Sequence, residues 1–141
     1  MAHILIVDDS ATEIKIITKI LKPQGHQISE AANGEEGIKK IIALQPDLVL
    51  MDVIMPGKLN GYQATRHLTE TPETKSIPVV IVSSLDTEND RMWGKLMGAA
   101  GYLAKPFKAE DLLEVINKSL AHWNYEQITY RIEGIKRWLT Y

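Results

Sequence analysis

The feature that most constrains this chain is an alternation. Short, almost uniformly apolar runs, "HILIVD" (3–8), "DLVLMD" (47–52), "PVVIVSS" (78–84) and "GYLAKP" (101–106), are separated by segments of helical period. Runs this short, with no polar residue at every second place, are strands covered on both faces. "HQISEA" (26–31) alternates instead, as an edge strand does. Between the runs, Ile14, Ile17 and Leu21 mark one helix face behind Ser10 and Glu13, which have the spacing of a capping box. Asn33 and Glu36 repeat that spacing ahead of Ile38, Ile41 and Ile42, and 62–70, 87–98 and 109–121 supply the other helices. Pro46, Pro56, Pro78 and Pro106 all fall at boundaries. Five strands alternating with five helices dictate an α/β fold, a doubly wound five-stranded parallel sheet with helices on both faces.

Composition narrows the function classes. A chain of 141 residues, 45% hydrophobic and 24% charged, suits one globular domain with a single core. A formal net charge of −2 makes no case for nucleic acid or for an anionic membrane. The absence of cysteine excludes disulfides, thiolate metal sites and Cys nucleophiles. No apolar run is long enough to span a bilayer, and the first residues enter a strand without a signal-peptide pattern, so the expected location is the cytoplasm.

The strand ends carry the chemistry. The first ends on Asp8–Asp9, the third on Asp52, the fourth on Ser83–Ser84 and the fifth on Lys105–Pro106. A parallel sheet sets all these ends on one rim, where open α/β sheets bind ligands. One Asp at a strand end is ordinarily a helix cap, but capping does not account for all four ends together. Three clustered carboxylates cannot stay ionised without compensation. A hard divalent cation compensates them, and Mg2+ prefers few carboxylates plus water and phosphate oxygens. Asp52 is then placed to act as a carboxylate nucleophile forming an acyl phosphate, with Lys105 as a point charge and Ser83 as a hydroxyl for the phosphoryl oxygens.

The set "VDDS", "LVLMDVIMPG…NG", "VVIVSS" and "GYLAKPF" resembles the receiver domain of two-component response regulators, over nearly all of residues 3–122. The resemblance implies a flavodoxin-like receiver fold in which Asp52 is the phosphoacceptor. Asp9 would be the main metal carboxylate, Asp8 would complete the acidic pocket, and the backbone carbonyl of Ile54 would be a further Mg2+ ligand. It implies a hydroxyl switch at Ser83, an aromatic switch at Tyr102, the family lysine at Lys105, and a cis Lys105–Pro106 bond. The phosphoryl donor would be a phosphohistidine on a sensor histidine kinase. Phosphorylation would draw Ser83 toward the new oxygens, let Tyr102 turn inward, and reshape the face of the fourth helix, fifth strand and fifth helix for a downstream target. Read without the motif, Tyr102 is a half-buried strand aromatic. "RMWGKLMGAAGYLAKPF" (91–107) is similar to the small stand-alone regulators of chemotaxis-like and type IV pilus motility pathways.

Two details depart from the common family pattern. The turn "GKLNG" after Pro56 is one residue longer than usual, which implies a bulged loop in which Lys58 is a solvated charge rather than a docking group. Ile54 and Leu85 stand two places beyond Asp52 and Ser83, where fast self-dephosphorylating relatives carry polar groups that place a water. Two apolar side chains there would shield the acyl phosphate and slow its hydrolysis. Trp93 and Met97, four apart, read as core in preference to a partner surface.

The domain division is a receiver at 1–122 and a C-terminal aromatic amphipathic extension at 123–141. In the latter, Ile128, Ile132, Ile135 and Leu139 recur at helix spacing and Trp138 widens the stripe. Such a stripe packs on its own receiver, on a second copy to give a homodimer, or on a partner. It is too short for a DNA-binding output domain, and its cationic face is too thin for a membrane-surface helix. His3, His26, His67 and His122 are scattered without metal spacing and are expected at the surface or at strand starts. Two other classes remain for comparison. An Asp-nucleophile phosphatase wants a second Asp where Ile54 stands, and a degenerate receiver would not retain Asp8, Asp9, Asp52, Ser83 and Lys105 together.

Overall fold

Strand parity builds the core. In the computed structural model, which describes residues 1–121, the first strand β1 (His3–Val7) buries Ile4 and Ile6 on one face and Leu5 and Val7 on the other. β3 (Leu48–Met51) repeats the pattern, with Leu48 and Leu50 on the first face and Val49 and Met51 on the second. β4 (Val79–Ser83) sends Val80 and Val82 to the first face and Val79 to the second. Both faces are covered, so every position of β3 is apolar and buried.

The helices supply the covers. α1 (Ala11–Leu21) brings Ile17 and Leu21, and α5 (described over 109–121) brings Leu112 and Ile116, to the first face. α2 (Gly34–Leu44) brings Ile41, and α3 (Gly61–Glu70) brings Ala64 and Leu68, to the second. Each such Leu or Ile contributes about 1.5–3 kcal/mol relative to exposure. α4 (Glu88–Leu96) covers a smaller cluster of Val53, Tyr62 and Ile81.

All strand pairs are parallel, in the order β2-β1-β3-β4-β5, with β2 (Gln27–Ala31) and β5 (Gly101–Ala104) at the edges. The alternating 26–31 segment is the edge strand its pattern indicates. The chain leaves β1 toward β2 and returns past β1 to β3, so the order reverses between β1 and β3. A ligand crevice belongs at that reversal, beyond the carboxyl ends.

Three local expectations need correction. Ile42 is 47% exposed and Trp93 51% exposed, so neither is core, although Met97 is partly buried against the α4 cluster. The two expected capping boxes are half-formed. Ser10 and Asn33 accept from the Glu13 and Glu36 amides, but the Glu36 carboxylate takes the Ala32 amide instead. Complete boxes occur at Asn60–Gln63 and Thr87–Asp90, which open α3 and α4. The expected extension at 123–141, and His122, lie outside the described residues.

Candidate active site

Asp8 leaves β1 with its amide donating to the Ala31 carbonyl, and Asp52 leaves β3 with its amide donating to the Val7 carbonyl. The ladder therefore sets both carboxylates side by side at the β1–β3 reversal. Side-chain oxygens of Asp8, Asp9 and Asp52 lie within 4.8 Å of one another. Asp8 is buried, Asp52 half-buried and Asp9 exposed. Lys105, directly after β5, reaches across with its Nζ 3.2 Å from Asp8 Oδ2 and 3.4 Å from Asp52 Oδ1. The Lys105–Pro106 bond is cis, as the resemblance implied.

The hydrogen bonds divide the carboxylate oxygens. Asp52 Oδ1 accepts from the Val53 amide at 2.9 Å as well as from Lys105. Asp8 Oδ1 accepts from the Ser10 amide at 2.9 Å. Among the described residues no donor meets Asp52 Oδ2, so the two oxygens of this carboxylate are not equivalent. Burial and the Asp8 charge raise the Asp52 pKa to about 6, against the lowering pull of Lys105 and the Val53 amide. Burial lowers the Lys105 pKa, but Asp52 and Asp8 outweigh it and the net shift is upward, so the ammonium stays charged. One ammonium among three carboxylates leaves net negative charge. Oxygen-only donors with that excess suit a hard divalent cation.

Ser83 ends β4 fully buried, and its Oγ accepts from the Leu85 amide at 3.1 Å. The Lys105 amide donates to the Ser83 carbonyl, which ties the hydroxyl and lysine positions together. Tyr102 on β5 packs against the Val53, Tyr62 and Ile81 cluster, and its hydroxyl donates to the Leu85 carbonyl at 2.6 Å. The resemblance implied that Tyr102 turns inward after Ser83 moves; here it is already inward while Ser83 holds the Leu85 amide. Ile54 is 63% exposed, whereas Leu85 packs with the tyrosine cluster. The expected shielding of Asp52 by both side chains is therefore not what the structure describes, since one side chain is largely in solvent and the other packs in the tyrosine cluster; neither carries a group that places a water.

The structure adds residues that pattern reading missed. A Cβ on Gly61 would lie 1.9 Å from the Asp52 carbonyl oxygen, so α3 begins against the backbone of the acidic residue. Glu35, at the start of α2, accepts from the Lys58 and Leu59 amides at 2.7 and 3.1 Å and anchors the lengthened loop. Its own amide first, and then those of Lys58 and Leu59, hold the Glu35 carboxyl below the usual carboxylate range against a smaller opposing effect of burial. Lys58 itself is exposed, as expected for a solvated loop charge. His3 opens β1 and bonds Ser29, His26 directly precedes β2 and accepts from the Ala2 amide, and His67 is exposed, which are the strand-start and surface places expected of them. A cleft at the opposite sheet rim, lined by Met1, His26, Asp47 and Asn117, holds none of the clustered acidic groups.

Residues 4–117 match the family described as the response regulator receiver domain. The chain is 53% identical over 121 residues to Protein PilH of Pseudomonas aeruginosa, covering 86% of this chain and 99% of that one. Its structure is similar to that of a putative response regulator from Chloroflexus aurantiacus, with a TM-score of 0.81 and 32% identity over 85% of this chain and 98% of that one. It is also similar to the Vibrio cholerae chemotaxis protein CheY4, with a TM-score of 0.78 and 28% identity over 84% of this chain and 98% of that one.

Proposed function

The chain belongs to the response regulator receiver domain family, and from that membership we propose that it is a phosphorylatable switch in which Asp52 takes the phosphoryl group of a partner histidine kinase. The observation that carries this reading is the meeting of Asp8, Asp9, Asp52 and Lys105 at one strand reversal. Asp52 Oδ2 attacks phosphorus, the new O–P bond forms as the P–N bond to the donor imidazole breaks, and the imidazole leaves with a proton from solvent. Lys105 holds the opposite Asp52 oxygen and meets the charge on the transferred group. Asp8, Asp9, Asp52 and the Ile54 carbonyl would hold Mg2+, which supplies positive charge against the phosphoryl oxygens when bound.

In the phosphorylated chain the Ser83 Oγ–H donates to a phosphoryl oxygen and releases the Leu85 amide. The β4–α4 loop then changes its hydrogen bonds, and the surface beside Tyr102 selects a downstream target. Ile54 and Leu85 provide no water-placing group, so self-dephosphorylation is slow. The similarity to Protein PilH over nearly that protein's whole length and to a chemotaxis protein favours a receiver-only regulator in a chemotaxis-like or pilus motility pathway. No helix among the described residues is long and apolar enough to cross a membrane; we place the protein in the cytoplasm. An Asp-nucleophile phosphatase finds no acid–base carboxylate at Ile54.

Acetyl phosphate with Mg2+ tests the reading. Mass spectrometry should find one phosphoryl group at Asp52, absent from Asp52→Ala; modification that persists in Asp52→Ala, or none in the unaltered chain, overturns it.

A further inference from the structure

Tyr102 occupies a seat that is complete without a phosphoryl group. Its hydroxyl donates to the Leu85 carbonyl at 2.6 Å and lies 3.2 Å from the Tyr62 hydroxyl, which lies 3.1 Å from the Asp90 carbonyl. Two phenolic protons serve three contacts. The shortest contact takes the Tyr102 proton, so the Tyr62 proton is shared between the Asp90 carbonyl and the Tyr102 oxygen. A hydroxyl whose own proton is engaged accepts better, so the Tyr62 contact and the Leu85 contact reinforce each other. When Tyr102 leaves, the Tyr62 proton passes wholly to the Asp90 carbonyl, and this buried hydroxyl is not left unpaired. The seat therefore favours the inward position without making the outward one prohibitive.

The floor of the seat is a second, independent observation. Gly94 lies inside α4, where glycine is disfavoured. A Cβ there would stand 3.0 Å from Tyr102 Cδ2 and 3.1 Å from Ile81 Cδ1. A side chain there would push the Tyr102 ring aside by a few tenths of an ångström.

We propose that Tyr62 is a positioning residue of the switch, its hydroxyl holding Tyr102 inward over Gly94, so that α3 presets the β4–α4 loop before Asp52 is modified. This rests on the reading of Asp52 as phosphoacceptor. If the inward seat and the acyl phosphate favour the same loop conformation, each strengthens the other by the same factor.

The test uses the full chain, Tyr62→Phe, Tyr102→Phe and the double variant. Beryllofluoride with Mg2+ is titrated calorimetrically and the Leu85 carbonyl carbon is followed by NMR. Tyr62→Phe should bind about threefold to tenfold more weakly, and its Leu85 signal should move toward that of Tyr102→Phe. The weakening should vanish in the Tyr102→Phe background. Gly94→Ala, which leaves the Tyr62 hydroxyl in place and favours the helix, should displace the ring and move the Leu85 signal the same way. An unmoved Leu85 signal in both Tyr62→Phe and Gly94→Ala, unchanged affinity in Tyr62→Phe, or an equal loss in the Tyr102→Phe background overturns the proposal. If the unaltered chain takes up no beryllofluoride, the Asp52 reading falls and this proposal with it; if it does and Tyr62→Phe matches it, only this proposal falls.

Discussion

The Asp52 carboxylate and the Lys105 ammonium meet at 3.4 Å although 53 residues separate them in the chain. The pairing does not fully offset its surroundings: burial and Asp8 still lift the Asp52 pKa to about 6. In the metal-free protein, carboxyl NMR should show Asp52 titrating near that value, and Lys105→Met should move it higher. Saturating Mg2+ should move it down, since a cation favours the ionised form. A value at the ordinary carboxylate position in the metal-free chain would contradict the geometry.

That shift has a consequence for stability. A folded-state value above the unfolded one means that the stabilising effect of a neutral Asp52 is fully present below about pH 4 and is lost as pH rises through about 6. Asp52→Asn should therefore raise metal-free stability by about 1–2 kcal/mol near pH 7.5 once solvent screening is allowed for. Near pH 4 the difference should almost disappear. Urea unfolding with EDTA at the two pH values measures it.

Metal binding should stabilise the chain by mass action. At a Mg2+ concentration 100 times its dissociation constant the gain is about 2.7 kcal/mol, read as a raised melting temperature. Asp9→Asn should lose most of that response while keeping its metal-free stability, because Asp9 is exposed. A full response in Asp9→Asn would remove Asp9 from the site.

Gly61 is a steric requirement of the acidic rim. Because a Cβ would overlap the Asp52 carbonyl oxygen, Gly61→Ala should cost about 3 kcal/mol or more in urea unfolding. Near-native stability would show that the start of α3 yields easily.

Glu35 should control the lengthened loop locally. Glu35→Ala removes the acceptor for Lys58 and Leu59, and hydrogen exchange at those two amides should quicken about tenfold while β3 amides stay protected. Unchanged exchange would show that the loop holds itself.

Hydrolysis of the acyl phosphate offers the last test. Ile54→Asn with Leu85→Glu introduces groups able to hold a water, and the phosphoryl lifetime should shorten at least about tenfold. An equal or longer lifetime would mean that shielding, not water placement, controls the rate.

Pattern reading reached the sheet, one of its two edge strands and the acidic rim because these follow from local chemistry; β5, read as covered on both faces, is the other edge and only partly buried. "ILIV" and "LVLM" are continuous apolar runs, and only a strand covered on both faces accepts them. The acidic, hydroxyl and lysine positions each follow a strand, so parallel pairing alone brings them to one end. Helix faces were less legible. Ile42 and Trp93 sit at plausible apolar positions, but burial depends on what lies opposite, and nothing in the described chain covers them fully. Capping was misjudged for a similar reason: spacing places the Glu36 carboxylate near the helix start but does not say which amide it takes, and it takes Ala32.

The chain's order of residues settles which groups exist and at which strand ends they stand, because hydrophobic period and strand direction are local properties. Folding in three dimensions settles the strand reversal between β1 and β3, the reach of Lys105, the anchoring of the loop by Glu35 and the meeting of Tyr62 with Tyr102. Those are contacts between residues 23 to 97 places apart, and no window of sequence contains both partners.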